Sequence, residues 1–235
     1  MSTTTAPSAA SRPELAFAPA TRIQESFVAS AEKRALIWLA HRTPAWINSD
    51  HLTLLGFVSQ CLAGVCYALA RLDPNALLIG IVFLALNWLG DSLDGTLARV
   101  RNRQRPRYGF YVDHIADTIA SFFLMGGLAL SGYVHPLIAL GMLIAFLMLS
   151  TEAYLATYTL GRFQLSYGKF GPTELRILLA IGNLALLRHP LIKFLGKPTL
   201  LFDLGGVIAI AGMAIMLIVS AVRHTAQLYK EEKLA

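Results

Sequence analysis

The sequence predicts an all-α integral membrane protein of six transmembrane helices, preceded by an N-terminal interfacial amphipathic helix. Three observations carry that prediction. Hydrophobic residues make up 55% of the 235 positions and charged residues only 14%, too few to solvate the surface of an ordinary soluble domain. The apolar residues are gathered into uncharged runs near the roughly 17–25 residues a helix needs to cross the hydrocarbon core. Charges, glycines and prolines stand at the ends of those runs, where a chain turns back.

Residues 1–21, dominated by Ser, Thr, Ala and Pro, hold too little apolar surface to fold and are expected to be disordered. The start lacks a basic segment followed by an apolar one, so no cleavable signal peptide is expected. Residues 22–46 read as the interfacial helix. Val28, Ala31, Ala35 and Trp38 fall on one helical face, with Glu25, Glu32, Lys33 and Arg42 elsewhere. Pro44 ends it, and Trp38 and Trp46 suit the headgroup level. A helix packed on the rest of the domain is the alternative.

Residues 47–225 form the membrane domain. Runs 52–70, 74–90 and 204–222 are free of charge. The stretch 118–151 carries no charge apart from a protonated His135, and Gly132 with His135-Pro136 divides it into an antiparallel pair of spans. The sixth span is the shortest: only 177–187 is uncharged, so it must begin near Pro172 with Glu174 and Arg176 in its first turn. Residues 226–235 are a tail. No internal repeat is visible, which disfavours a duplicated transporter half.

Six crossings place both termini on one side, and sixteen Lys and Arg then share that side while Arg71, Arg188, Lys193 and Lys197 occupy the other. The positive-inside bias puts both termini and the arginine-rich loop 99–107 in the cytoplasm. The net charge of +6 reads as topology and attraction to anionic membrane lipids, not as nucleic-acid binding, for which no signature is present. Cys61 and Cys66 lie on different faces of one span and read as small buried apolar residues.

The chemistry is concentrated at the junction of the second and third spans. Asp91 and Asp94 share one helical face, as do Asp113 and Asp117 on the next helix. A short loop lets the two pairs meet. Four carboxylates gathered at a membrane boundary repel one another unless a cation intervenes, and oxygen-only ligation favours Mg²⁺ or Mn²⁺. His114 points elsewhere on the helix and reads as structural. Gly95 opens space beside the acids, Ala98 continues the opening, and Arg99 is placed to meet a phosphate. Such a set describes a cradle for a nucleoside diphosphate. Unrelated helix caps are the bland alternative.

The segment resembles the signature of the CDP-alcohol phosphotransferase family, Asp-x-x-Asp-Gly-x-x-Ala-Arg followed by Gly-x-x-x-Asp-x-x-x-Asp. Asp91, Asp94, Gly95, Ala98, Arg99, Gly109, Asp113 and Asp117 fill all eight positions, with nine residues between Arg99 and Gly109 in place of the usual eight. The resemblance implies transfer of a substituted phosphoryl group from a CDP-linked donor to an acceptor alcohol, with release of CMP. It implies Asp91, Asp94, Asp113 and Asp117 as ligands of Mg²⁺ or Mn²⁺ and Asp117 also as general base. Gly95, Ala98, Arg99 and Gly109 would hold the CDP moiety. Thr53, in a stretch similar to the family's Pro-Asn-x-Leu-Thr, would reach the nucleotide, while Asn48, Ser49 or Asp50 caps the helix there. A homodimer and a bacterial inner membrane are further expectations.

CDP-diacylglycerol with a small polar alcohol is the favoured pair of substrates. His114 after Asp113 resembles the choline and ethanolamine branch, which transfers CDP-linked headgroups to diacylglycerol and stands as the alternative. The acceptor site is sought at Arg176, or at the loop arginines 101, 103, 105 and 107, or near Arg162 and Lys169. Glu152, beside Tyr154 and Tyr158, is a functional candidate as an intramembrane acid, with a salt bridge to Arg176 the slightly preferred structural reading. A cation transporter is the rival from another class, disfavoured because the acids sit at one edge and are interleaved with Gly, Ala and Arg.

Overall fold

The computed structural model describes residues 21–23, 29–164 and 171–232. The expectations for residues 1–20, Glu25, Val28 and Lys169 lie outside them. The described residues form seven helices: α1 (Ala29–Arg42), α2 (Ser49–Leu69), α3 (Ala76–Val100), α4 (Pro106–Leu130), α5 (Pro136–Leu160), α6 (Pro172–Arg188) and α7 (Leu201–Glu231). Two short strand pairs accompany them. β1 (Thr21–Ile23) runs parallel to β2 (Arg162–Gln164), and β3 (Leu191–Phe194) pairs antiparallel with β4 (Lys197–Leu200).

Four helices, α2, α3, α5 and α7, are long and apolar enough to cross a membrane. α4 is also 25 residues long but carries the polar signature in its first half, and α6 has 17 residues. Helix boundaries follow local chemistry. The Asn48 side chain accepts from the His51 amide, and His51 Nδ1 returns the bond to the Asn48 amide, a reciprocal cap that starts α2. Pro106, Pro136 and Pro172 occupy the first turns of α4, α5 and α6, where a missing N–H is harmless. The α4–α5 turn falls at Gly132 and His135, and Asp203 at the head of α7 accepts from the His135 amide at 2.6 Å.

The core of the bundle is α2 packed between α3 and α4. Glycine permits the close approach. A Cβ on Gly90 would stand 2.4 Å from the Gly56 nitrogen, and one on Gly127 would stand 1.9 Å from the Gly64 carbonyl oxygen. Without a hydrophobic force between helices in lipid, such small-residue contacts supply the packing. A buried polar link adds to it: Tyr67 Oη donates to Asn183 Oδ1 at 2.9 Å, tying α2 to α6.

α1 packs on the domain by a stripe other than the apolar face read from the sequence. Its protein-facing stripe is Glu32, Leu36 and Ala40, packed with Leu52, Leu93 and Leu97, while Ala31, Ala35 and Trp38 face outward. The helix therefore packs on the domain and turns its other apolar face, with Trp38 stacked under Arg42, away from it. It starts at Ala29, and residues 21–23 are strand.

Candidate metal and nucleotide site

The α3 and α4 helices run antiparallel on either side of the short arginine loop and bring acids together. Asp91, Asp113 and Asp117 each offer a carboxylate oxygen, all within 4.8 Å of one another. Two oxygens bound to one Mg²⁺ at roughly 2.1 Å lie about 3–4 Å apart, so the three need contract only slightly to share an ion. Asp94 lines the same cleft, with Thr53, Gly56, Phe57, Asn87 and Ala116, but is turned aside. Its carboxylate accepts from Thr53 Oγ1 at 2.6 Å and from the Gly95 amide. Thr53 therefore stands at the site as the partner of Asp94.

Arg176 enters from the first turns of α6. Its Nη2 donates to Asp91 Oδ2 at 2.6 Å and its Nε to Asn87 Oδ1 at 2.7 Å. Asn87 is fully used, since its Nδ2 donates to the Gly56 carbonyl at 2.9 Å and to Gln60 Oε1 at 3.1 Å. The guanidinium thus offsets part of the charge of the acid group and fixes the direction of Asp91. The expected pair of Arg176 with Glu152 does not form. Glu152 instead lies 2.6 Å from His224 Nδ1, linking α5 to α7, because Arg176 is engaged on α3.

Gly95, Ala98 and Arg99 follow Asp94 on the last turns of α3. A Cβ on Gly95 would meet the Arg99 guanidinium at 3.4 Å, an ordinary contact, and the guanidinium Nη2 donates to Thr96 Oγ1 at 3.0 Å. Gly109, on the exposed first turn of α4, has nothing within 4 Å of where a Cβ would stand. A second, more open cleft beside Ala98 is lined by Asn48, Ser49, Asp50, Arg101, Arg103 and Arg105.

The loop arginines divide. Arg101 donates to the carbonyls of Thr43 at 2.6 Å and Pro44 at 3.1 Å, and to that of Ile47, closing the end of α1 onto α3. Arg105 pairs with Asp50 and lies over the Tyr108 ring. His114 Nδ1 lies 2.7 Å from the Phe110 carbonyl, and its ring stacks on Phe110.

Two residues at the site's back were not singled out by the sequence. Asn87, one turn before Asp91, is one. The other is Glu32 of α1, a carboxylate only 9% exposed. Its Oε1 accepts from Trp88 Nε1 at 2.7 Å, Thr173 Oγ1 at 2.8 Å and Ser92 Oγ at 3.2 Å. Glu32 so joins α1 to α3 through Ser92, next to Asp91 in sequence, and to the first turn of α6 through Thr173, three residues before Arg176.

A family model described as CDP-alcohol phosphatidyltransferase matches residues 46–224. Archaetidylinositol phosphate synthase of Methanothermobacter thermautotrophicus is 31% identical over 104 residues, 44% of this chain and 50% of that protein. Cholinephosphotransferase 1 of Gallus gallus is 28% identical over 148 residues, 60% of this chain and 43% of that one. The matches span half or less of the length of these curated relatives.

Proposed function

The chain belongs to the CDP-alcohol phosphatidyltransferase family, and on that premise we propose that it moves a substituted phosphoryl group from a CDP-linked donor to an acceptor alcohol and releases CMP. The observation that carries the reading is the convergence of Asp91, Asp113 and Asp117 on one point, beside Gly95, Ala98 and Arg99. The donor is CDP-diacylglycerol and the acceptor a small polar alcohol. Phospholipid synthesis is the setting.

The donor set fits Mg²⁺ or Mn²⁺: three carboxylates from two helices, with Asp94 close enough to join if it turns from Thr53. Such an ion, when bound, offsets charge on the diphosphate and on the leaving CMP. The chain's own residues do the rest. Gly95 and Ala98 let the diphosphate approach the backbone of α3, Arg99 meets its oxygens, and Gly109 and Thr53 border the nucleotide. Asp117 accepts the proton of the acceptor hydroxyl as its oxygen bonds to the β-phosphorus and the bond to the CMP oxygen breaks.

The membrane reading extends to six crossings, α4 and α6 joining the four apolar helices. At about 1.5 Å per residue, 25 and 17 residues reach roughly 38 and 26 Å, enough for a core near 30 Å with modest local thinning. Both termini and the aspartates then face the cytoplasm, and a second copy of the chain completes a homodimer.

A second reading, transfer of a CDP-linked choline or ethanolamine headgroup to diacylglycerol, rests on His114 following Asp113 and on the match to a protein named cholinephosphotransferase. Purified protein offered both donor classes with Mg²⁺ or Mn²⁺ separates them by mass spectrometry of the lipids made. CMP release from CDP-diacylglycerol is expected. Product only from CDP-linked headgroups moves the chain to the second reading, and no metal-dependent CMP release from any donor contradicts both and leaves a cation transporter.

Arg176 is proposed to position Asp91. Arg176→Ala is then expected to lower kcat about tenfold, roughly one broken charge-assisted hydrogen bond on Asp91, and to shift the Mg²⁺ dependence, with acceptor KM little changed. A raised acceptor KM at unchanged metal dependence would assign Arg176 to the acceptor instead.

A further inference from the structure

We propose that the β3–β4 hairpin, at the end of the bundle away from the aspartates, is a binding site for anionic lipid, seated in the headgroup region with its tip in the acyl boundary. Its place follows from α6. Arg176 touches Asp91, and Arg188 lies twelve residues on, about 18 Å along the helix. β4 runs directly into α7, one of the helices apolar enough to span, so the hairpin stands at a membrane boundary by construction.

Charge gathers there against the trend of the chain. Of the four Lys and Arg that the six-crossing arrangement assigns to that side, Arg188, Lys193 and Lys197 fall within ten consecutive residues. All three are exposed and form no ion pair among the described residues. The nearby acid at the head of α7, Asp203, is occupied by the His135 amide. Three cations with no ion pair among the described residues, beside a membrane surface, are complementary to lipid phosphates.

The apolar residues tell the same story. Leu191 is 57% exposed, Phe194 44% and Leu195 88%. Leu195 and Gly196 form the two-residue turn with φ of 49° and 79°, the doubly left-handed geometry that favours Asn-Gly or Asp-Gly. A leucine there is strained, and in water it would also be wasted. Seated among acyl chains, Leu195, Phe194 and Leu191 are buried, while the lysine stems lie along the same surface and lift their ammonium groups to the phosphates.

The test places an environment-sensitive fluorophore at Leu195→Cys in a Cys61→Ala, Cys66→Ala background. The full chain is reconstituted in phosphatidylcholine vesicles with or without phosphatidylglycerol. Gln104→Cys in the exposed arginine loop and Ile215→Cys on the outward face of α7 serve as water and acyl references. The expected result is blue-shifted emission at 195, quenched by spin-labelled acyl chains and closer to the Ile215 value. Emission and quenching equal to those at Gln104 in both vesicle types would overturn the proposal. A second measurement leaves the cysteines untouched. Phosphatidylglycerol added to micelles is expected to raise the unfolding temperature of the native chain more than that of Lys193→Gln/Lys197→Gln, which keeps every other cation of the chain; equal shifts in both would overturn the charge component. Neither readout uses turnover, so failure here is distinct from failure of the transferase reading.

Discussion

Asp117→Asn is expected to lower kcat by about 10²–10⁴-fold, the usual contribution of a positioned general base, while binding of the CDP-linked donor stays measurable. The side chain is isosteric, so the packing of α4 is kept. Asp91 and Asp113 remain within reach of a shared ion, and Arg176 still fixes Asp91 at 2.6 Å. What disappears is the only group in the acid cluster assigned to take the acceptor's proton. CMP release under saturating donor and acceptor measures the loss, and calorimetric titration with a donor analogue measures binding. Full activity in the variant would refute the assignment. Loss of donor binding together with turnover would make Asp117 first of all a ligand.

The second large effect lies away from the chemistry. Gly127→Ala is expected to destabilise the bundle by about 1–3 kcal/mol or more, the range for overpacking, and to lower turnover as well. A methyl at 127 would stand 1.9 Å from the Gly64 carbonyl oxygen, and the strain is mutual, since one at 64 would stand 2.3 Å from the Phe123 carbonyl oxygen. Backbone has nowhere to go except apart. α2 carries Thr53 and α4 carries Asp113 and Asp117, so separating them shifts one half of the cleft against the other, and a displacement near 1 Å can cost about 10²-fold in rate. The adjacent Gly126 has nothing within 4 Å, and Gly126→Ala is expected to be neutral or slightly stabilising in the helix. Thermal unfolding in detergent, with CMP release on the same preparations, checks both. Equal stability of the two variants would contradict this account of the α2–α4 contact.

Most of the helix boundaries could be read because they rest on local chemistry. Pro172 at the start of α6 and the Gly132 to Pro136 break between α4 and α5 are set by what those residues can do in any context. The gathering of Asp91, Asp113 and Asp117 was legible for a similar reason: spacings of three and four fix which side chains share a helical face.

What escaped depended on partners distant in sequence. α1 has two apolar faces, and nothing within residues 29–42 tells which one meets α3. The answer lies in Trp88, Ser92 and Thr173, whose donors converge on Glu32. The partner of Glu152 is likewise settled at a distance: Arg176 is engaged by Asn87 and Asp91, which leaves Glu152 to His224. The β3–β4 hairpin was hidden by its own turn, as Leu195-Gly196 lacks the Asn or Asp that ordinarily announces such geometry. Asp94, grouped with the other acids by spacing, is held aside by Thr53 across the α2–α3 contact, a restraint that no pattern within α3 encodes.

The most direct measurement is Mn²⁺ binding to the purified chain, followed by electron paramagnetic resonance in the absence of any substrate. Saturable binding is predicted, weakened more than about tenfold, or roughly 1.4 kcal/mol, in both Asp91→Asn and Asp113→Asn. Binding that is absent in the native chain, or unchanged in both variants, would contradict a cation shared between α3 and α4.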